Sequence, residues 1–185
     1  MGVAGRTFAI GDIHGDLASL RLLFERLPEL TSEDTVVFLG DYIDRGPDSA
    51  GVVAWVRDFT ASSPAKVVAL RGNHEDAWLQ VVDEGWPEFV FPRGNGCLET
   101  LRSFTGREVP DEDEVPAYEE LEEMFAAKVI PAEVVAWMRE MPFFYEDEHA
   151  IYVHAGIKRD GDGFPHPSQV EPKRALLWLR DRDFF

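Results

Sequence analysis

Residues 35–46 read TVVFLGDYIDRG, Thr35 to Gly46, and this stretch decides the fold. Thr35–Leu39 is a continuous run of β-branched, aromatic and aliphatic residues. Such a run is the pattern of a strand buried on both faces of a parallel sheet. It stops at Gly40-Asp41, which places a carboxylate just past the strand's carboxyl end. The arrangement recurs on either side in sequence. Arg6–Ile10 runs into Gly11-Asp12-Ile13-His14-Gly15, and Lys66–Leu70 runs into Arg71-Gly72-Asn73-His74-Glu75. Between these strands, Leu17, Leu20, Leu23, Phe24 and Leu27 repeat at helical spacing, and Pro28 closes the segment. Val52, Val53, Trp55, Val56 and Phe59 do the same across Ser49–Phe59. The order β-α-β-α-β predicts an α/β protein with a parallel sheet covered by helices.

Further along, Glu75–Val82, Leu98–Phe104, Tyr118–Lys128 and Ala132–Arg139 read as helices. Arg107–Pro116 carries an acidic tract between two prolines and reads as a solvated loop. Phe143–Tyr145 and Ala150–Val153 flank Glu146-Asp147-Glu148 and suggest a hairpin. The organisation expected is one domain over residues 1–185, with a helical insertion at about residues 75–140.

The chain has 185 residues, 45% hydrophobic and 29% charged, enough for a full hydrophobic core. No apolar run approaches the roughly 20 residues needed to span a bilayer. The N-terminus lacks the apolar segment of a signal peptide. Arg6 stands where a myristoylation signal at Gly2 would need Ser or Thr. Cys97 is the only cysteine, which excludes an intramolecular disulfide and fits a cytoplasmic protein; it reads as a small core residue. With 18 Lys plus Arg against 35 Asp plus Glu, the formal charge is −17. That argues against nucleic acid or an anionic membrane as partner.

Some of the acidic residues call for more than solubility. Asp12, Asp41, Asn73 and His154 all follow strands, as do His14, Asp44, Arg45 and His74. Taken singly, each has an ordinary explanation as a cap, turn former or core residue. Four polar blocks with glycine at fixed offsets, each ending a strand, form a different kind of pattern. Hard oxygen ligands and imidazoles converging at one sheet edge suit divalent metals such as Mn, Fe or Zn. Asp12 and His14, two apart in an extended segment, would face one ion. Asp41 on the neighbouring strand could bridge to a second, with Asn73 and His154 supplying that ion's amide oxygen and imidazole.

GDIHG, GDYIDRG, RGNHE and HAG, in that order, resemble the signature of the phosphoprotein phosphatase (PPP) family within the calcineurin-like metallophosphoesterases. The similarity covers about residues 7–180, including the LLWLR segment, and is closest in style to bacterial and bacteriophage-lambda-type serine/threonine phosphatases. The resemblance implies a β-sandwich flanked by helices. It implies two divalent metals, with manganese expected. Asp12 and His14 would bind the first, Asp41 would bridge, and Asn73 and His154 would bind the second. It casts His74 as general acid held by Asp44, and Arg45 and Arg180 as phosphate-binding arginines. The implied reaction is direct attack by metal-activated water, without a phosphoenzyme.

The family pattern also carries a histidine in a Gly-His-Thr context after the LLWxR segment, followed by closing strands. Here the sequence ends at Phe185, and His166 precedes LLWLR and reads as a loop residue. The resemblance therefore implies an absent C-terminal part, a weakened second metal site and exposed strand edges. The expected substrate is phosphoserine or phosphothreonine in proteins, or another small phosphoester. One alternative is a nucleotide hydrolase of the kind that cleaves diadenosine tetraphosphate. Another is an inactive truncated binding protein.

Overall fold

The computed structural model describes residues 5–109, 115–126, 128–161 and 163–179. The acidic tract Asp111–Glu114 and Arg180 lie outside the described residues. Three strands, β1 (Thr7–Ile10), β2 (Thr35–Phe38) and β3 (Lys66–Ala69), form a parallel sheet with β2 in the centre. Thr7, Thr35 and Lys66 stand in register, as do Ile10, Phe38 and Ala69. Val36, Val37 and Phe38 of the central strand have no exposed surface, as its continuous apolar run requires.

Helices α1 (Leu17–Arg26) and α2 (Ser49–Ser62) make the crossovers. Each is started by an aspartate: Asp16 accepts from the Ser19 N–H at 2.9 Å, and Asp48 from the Gly51 N–H at 2.8 Å. Their apolar stripes bring Phe24, Trp55 and Phe59 around Phe38, with ring centroids 5.9, 6.5 and 6.2 Å from it. The opposite face of the sheet meets a hairpin of β4 (Phe144–Glu146) and β5 (Ile151–Val153). Thr7 Oγ1 donates to Asp147 at 2.7 Å, and Lys66 Nζ donates to the Tyr145 hydroxyl at 3.0 Å. Asp147 also forms the hairpin turn, accepting from the His149 and Ala150 N–H groups. The result is a helix layer, a parallel sheet and a second β layer, a mixed α/β architecture.

Helices α3 (Asn73–Glu84), α4 (Pro87–Val90), α5 (Cys97–Thr105), α6 (Tyr118–Phe125) and α7 (Ala132–Glu140) occupy the middle of the chain. Four match the periodic segments of the sequence within a few residues. Helix α4 was not anticipated, because four residues are too short to show a period. These helices share one apolar cluster with the sheet, from Ile10 through Trp78 and Leu101 to Met141. Cys97 lies buried in it, and burial pushes its thiol well above the usual range, as befits an inert core residue. Among the described residues, no helix is long and apolar enough to cross a membrane.

At the sheet's amino end, buried Asp34 accepts from the Arg6 N–H, Nε and Nη2 and from the Thr31 N–H and hydroxyl. The Arg6 guanidinium, with these other donors, holds the carboxyl well below the usual carboxylate range. A folded-state pKa depressed in this way adds stability above the unfolded value of about 4, and that stability is lost as pH falls. Asp34→Asn is therefore expected to lower Tm at pH 7, with the gap to the unaltered chain narrowing below about pH 4. Thermal melts across pH 2–7 check this; a gap independent of pH would refute it.

Candidate metal and phosphate site

The loops leaving the carboxyl ends of β1, β2, β3 and β5 meet at one edge of the sheet. Two glycines let the loops after β2 and β3 come together. Gly40 has φ 107°, and a Cβ there would lie 2.4 Å from Gly72 Cα, so the loops after β2 and β3 touch backbone to backbone. The first loop is laced to the second as well. Asp41 O accepts from the Ile13 and His14 N–H groups at 3.0 and 2.8 Å, and Tyr42 O accepts from Gly15 at 2.9 Å. Among the described residues, the non-glycine residues with left-handed backbone are His14 (φ 46°), Asp41 (55°), Asp44 (70°) and Arg45 (70°). All four fall here, and strain confined to one place marks a site whose geometry the surrounding contacts impose. His14 thus reaches its neighbours through a bend rather than through the strand alternation anticipated from its spacing to Asp12.

Asp41 stands at the centre. Its Oδ2 lies 3.5 Å from His14 Nε2 and 3.5 Å from His154 Nε2. Asp12 approaches both imidazoles, 4.0 Å from His14 Nε2 and 3.9 Å from His154 Nδ1. Asn73 Oδ1 is 2.7 Å from His154 Nε2. Two sets of side chains could each hold a cation with ligand atoms within 4.8 Å of one another: His14, Asp41 and His74, and Asp12, Asp41 and His154. Asp41 belongs to both.

The orientation of the imidazoles fits metal ligation. His14 Nδ1 faces Ile43 O at 2.9 Å and His154 Nδ1 faces Leu39 O at 2.8 Å. Carbonyls only accept, so these Nδ1 atoms carry protons, and each ring turns its Nε2 to the cluster, as a metal ligand would. His154 Nε2 and Asn73 Oδ1 stand 2.7 Å apart, close enough for both to reach one cation. The carboxylates are crowded in the same sense. Burial pushes Asp41 up to about 6, with Asp12 and Asp44 adding to the shift and His74 opposing it. Burial, with the charge of Asp41, pushes Glu75 up to about 7. Buried acids short of positive charge are what a divalent cation relieves.

His74 has a separate support. Its Nδ1 lies 2.7 Å from Asp44 Oδ2, and Asp44, fully buried, also accepts from Trp78 Nε1 at 2.9 Å and Thr100 Oγ1 at 2.6 Å. Burial of the ring lowers the His74 pKa, but the hydrogen bond and charge of Asp44, aided by Asp41 and Glu75, more than offset it and the net shift is upward. Arg45 caps the arrangement, with Nη1 2.8 Å from His14 Nε2 and Nη2 3.1 Å from His74 Nε2.

Eight of the nine residues anticipated from sequence come together: Asp12, His14, Asp41, Asp44, Arg45, Asn73, His74 and His154. The ninth, Arg180, lies outside the described residues. His166 sits on the exposed surface, 3.0 Å from Glu146, as a loop residue. Sequence reasoning assigned no part to Glu75, Trp78, Thr100 or Asp76. Glu75 accepts from the Gly72, Asp41 and Tyr42 N–H groups at 2.8–2.9 Å and so fixes the backbone of two motif loops. Its position three residues after Gly72, where a capping-box acid belongs, was an available signal. Asp76, also buried, takes Arg174 Nε at 2.6 Å and Trp178 Nε1 at 3.3 Å, tying the LLWLR segment to α3.

Fold and site together define a metallophosphoesterase-type α/β protein. Residues 5–184 match the family model of the calcineurin-like phosphoesterases, and the chain belongs to that family. Among sequence relatives, it is 31% identical over 151 residues to a symmetrical bis(5'-nucleosyl)-tetraphosphatase of Dechloromonas aromatica, covering 82% of this chain and 44% of the relative. A protein of the same description from Nitrosospira multiformis is 27% identical over 153 residues, covering 81% and 43%. The chain thus spans less than half the length of these relatives. Among solved structures, one provisionally described as a diadenosine tetraphosphatase superposes with TM-score 0.54 at 23% identity, covering 89% of this chain and 57% of that one. A protein serine/threonine phosphatase from Saccharomyces cerevisiae gives TM-score 0.53 at 18% identity, covering 95% and 52%. These two likenesses are of fold.

Proposed function

We propose that the chain carries the catalytic face of a two-metal phosphoesterase whose substrate is a dinucleoside polyphosphate. The observation that carries the reaction class is Asp41, placed between two imidazole-bearing clusters that share it. In this reading Asp12, which lies within 4.0 Å of both imidazoles, would join His14 and Asp41 around one divalent ion. Asp41, Asn73 and His154 would hold the other, and His74 would stay off the metal to serve the leaving group. Manganese is the first choice for both. When bound, such ions neutralise phosphate charge and lower the pKa of water.

The chain's own residues do the rest. Arg45 offers a planar fork to two phosphate oxygens. To do so it turns from the His14 and His74 nitrogens onto substrate, which also frees His74 Nε2. The upward shift of its pKa favours the protonated ring, whose Nε2 proton goes to the leaving oxygen once Arg45 has turned away. Asp44 holds the ring through Nδ1 throughout. Arg180 is a second phosphate-binding residue in this reading. One domain with a helical insertion at about residues 75–140, working in the cytoplasm, accommodates these roles.

The nucleotide substrate is favoured over phosphoserine by relatives matched over about four-fifths of this chain, which are described as symmetrical bis(5'-nucleosyl)-tetraphosphatases. Diadenosine tetraphosphate and a phosphoserine peptide, each assayed with Mn(II) and with EDTA, separate the readings. The expected result is EDTA-sensitive cleavage to two ADP, with kcat/KM at least about tenfold above that for the peptide, a preference of about 1.4 kcal/mol. The reverse order would restore the protein-phosphatase reading. Metal binding without turnover of either would favour a non-catalytic binding protein.

A further inference from the structure

The cleft at the site encloses about 450 Å³, and its two ends differ in chemistry. One end holds Asp12, Asp41, Arg45, Asn73 and His74. The other is walled by Trp86, Phe89 and Trp178, with Glu88 and Asn95 at its margin. A series of ring contacts joins the two ends. His74 meets Phe89 edge-on at 5.5 Å, Phe89 stacks on Trp86 at 5.6 Å and 23°, and Trp86 meets Trp178 at 6.1 Å and 67°.

The aromatic end is built rather than incidental. Phe89 is buried beneath Trp86 and accepts, through its carbonyl, the Asn95 side-chain amide at 2.7 Å. Trp178 is fixed by its Nε1–H to Asp76. Two half-buried tryptophans held in place beside a phosphate site are costly to leave facing water. Their flat faces suit a π-system, and every nucleobase has one. The exposed carboxylate of Glu88 repels phosphate, so this end suits the uncharged part of a ligand. Glu88 accepts hydrogen bonds only, and the Asn95 amide oxygen accepts as well, while its nitrogen gives one of its two hydrogens to the Phe89 carbonyl. Ribose hydroxyls and an exocyclic amino group supply the matching donors.

We propose that Trp86 and Trp178, inclined at 67° to each other, wall a pocket in which one nucleobase of the substrate stacks on one ring and is met by the other, while its phosphates lie against Arg45 and His74. This deepens the proposed function and rests on it for the identity of the ligand. Substrate choice would then lie in the helical segment after β3 and in the segment after β5, while the motif loops supply the chemistry common to the family.

The test is binding, read by calorimetry on the Mn(II)-loaded chain with AMP and with ribose 5-phosphate, which differ by the base alone. AMP is expected to bind about tenfold more tightly, the lower range of one base–aromatic stack. Trp86→Ala should remove that preference while leaving ribose 5-phosphate affinity within about twofold, and Trp86→Phe should keep most of it. Trp178→Ala serves as the second variant should Trp86→Ala fail to fold, and it too should cut the preference for AMP while leaving ribose 5-phosphate affinity within about twofold. Equal binding of AMP and ribose 5-phosphate by the unaltered chain would overturn the proposal. So would a Trp86→Ala loss equal for both ligands. A chain that prefers AMP yet does not cleave diadenosine tetraphosphate would keep the base pocket and sink the proposed substrate.

Discussion

Asp41→Asn is expected to lower Mn(II)-dependent turnover at least about a thousandfold, the rate equivalent of about 4 kcal/mol of lost transition-state stabilisation. The residue is the one member common to both candidate cation sets. Asparagine keeps the shape, and its oxygen can still accept the His74 N–H that Asp41 Oδ1 accepts at 2.9 Å, so the backbone has no reason to move. What it loses is a charge and a ligand able to serve two ions. The same change should have the opposite effect on stability once metal is stripped. Burial raises the Asp41 pKa to about 6, above its ordinary 3.8. A group raised in this way favours folding below its unfolded pKa, and that contribution is lost as pH rises through the folded value. In EDTA at pH 7.5 the asparagine variant should therefore melt higher than the unaltered chain, and the difference should vanish below about pH 4. Turnover within tenfold of the unaltered chain would remove Asp41 from the centre of the mechanism. A variant less stable in EDTA would show that the carboxylate is not electrostatically frustrated.

His74→Asn is expected to cost about 10²–10⁴-fold on a phosphoserine peptide or other alkyl ester, the usual worth of a positioned general acid. The loss should shrink on p-nitrophenyl phosphate and on diadenosine tetraphosphate. Their leaving groups are weaker bases than an alkoxide and need less help from a proton. The pH profile supplies a second readout. His74 sits above its ordinary value, because Asp44, Asp41 and Glu75 together outweigh the burial of its ring. Activity that needs the protonated ring is then retained to higher pH than an ordinary histidine would allow, and falls as pH rises through the shifted value. The asparagine variant should lack that alkaline limb, and Asp44→Asn should move it to lower pH. An equal loss on every leaving group, with an unchanged limb, would reduce His74 to a positioning residue.

The two predictions draw on different sources. That Asp41 and His74 matter was legible in GDYIDRG and RGNHE, since each block ends a strand that its own composition defines. Why the His74 pKa is raised was not legible. Asp44 is thirty residues away in sequence, and its other partners, Trp78 and Thr100, come from α3 and α5. No spacing rule links Thr100 to Asp44, because their contact follows from how α5 lies on α2. Likewise Glu75 could be read as a helix-capping acid, but its hold on the Asp41 and Tyr42 N–H groups requires the loops after β2 and β3 to touch. The aromatic wall was missed for the same reason. Trp86 precedes a helix too short to show a period, and Trp178 lies ninety-two positions later.

The sequence by itself determined the strand–helix alternation, the sheet edge at which the polar blocks would gather, and the residue types available there. These are local properties: apolar runs, capping aspartates and turn glycines act over a few residues. The tertiary structure decided the left-handed backbone of His14, Asp41, Asp44 and Arg45, the raised pKa values of Asp41, Glu75 and His74, and the pairing of Trp86 with Trp178. Burial, charge proximity and strain depend on which distant segments are pressed together, and only the packed chain specifies that.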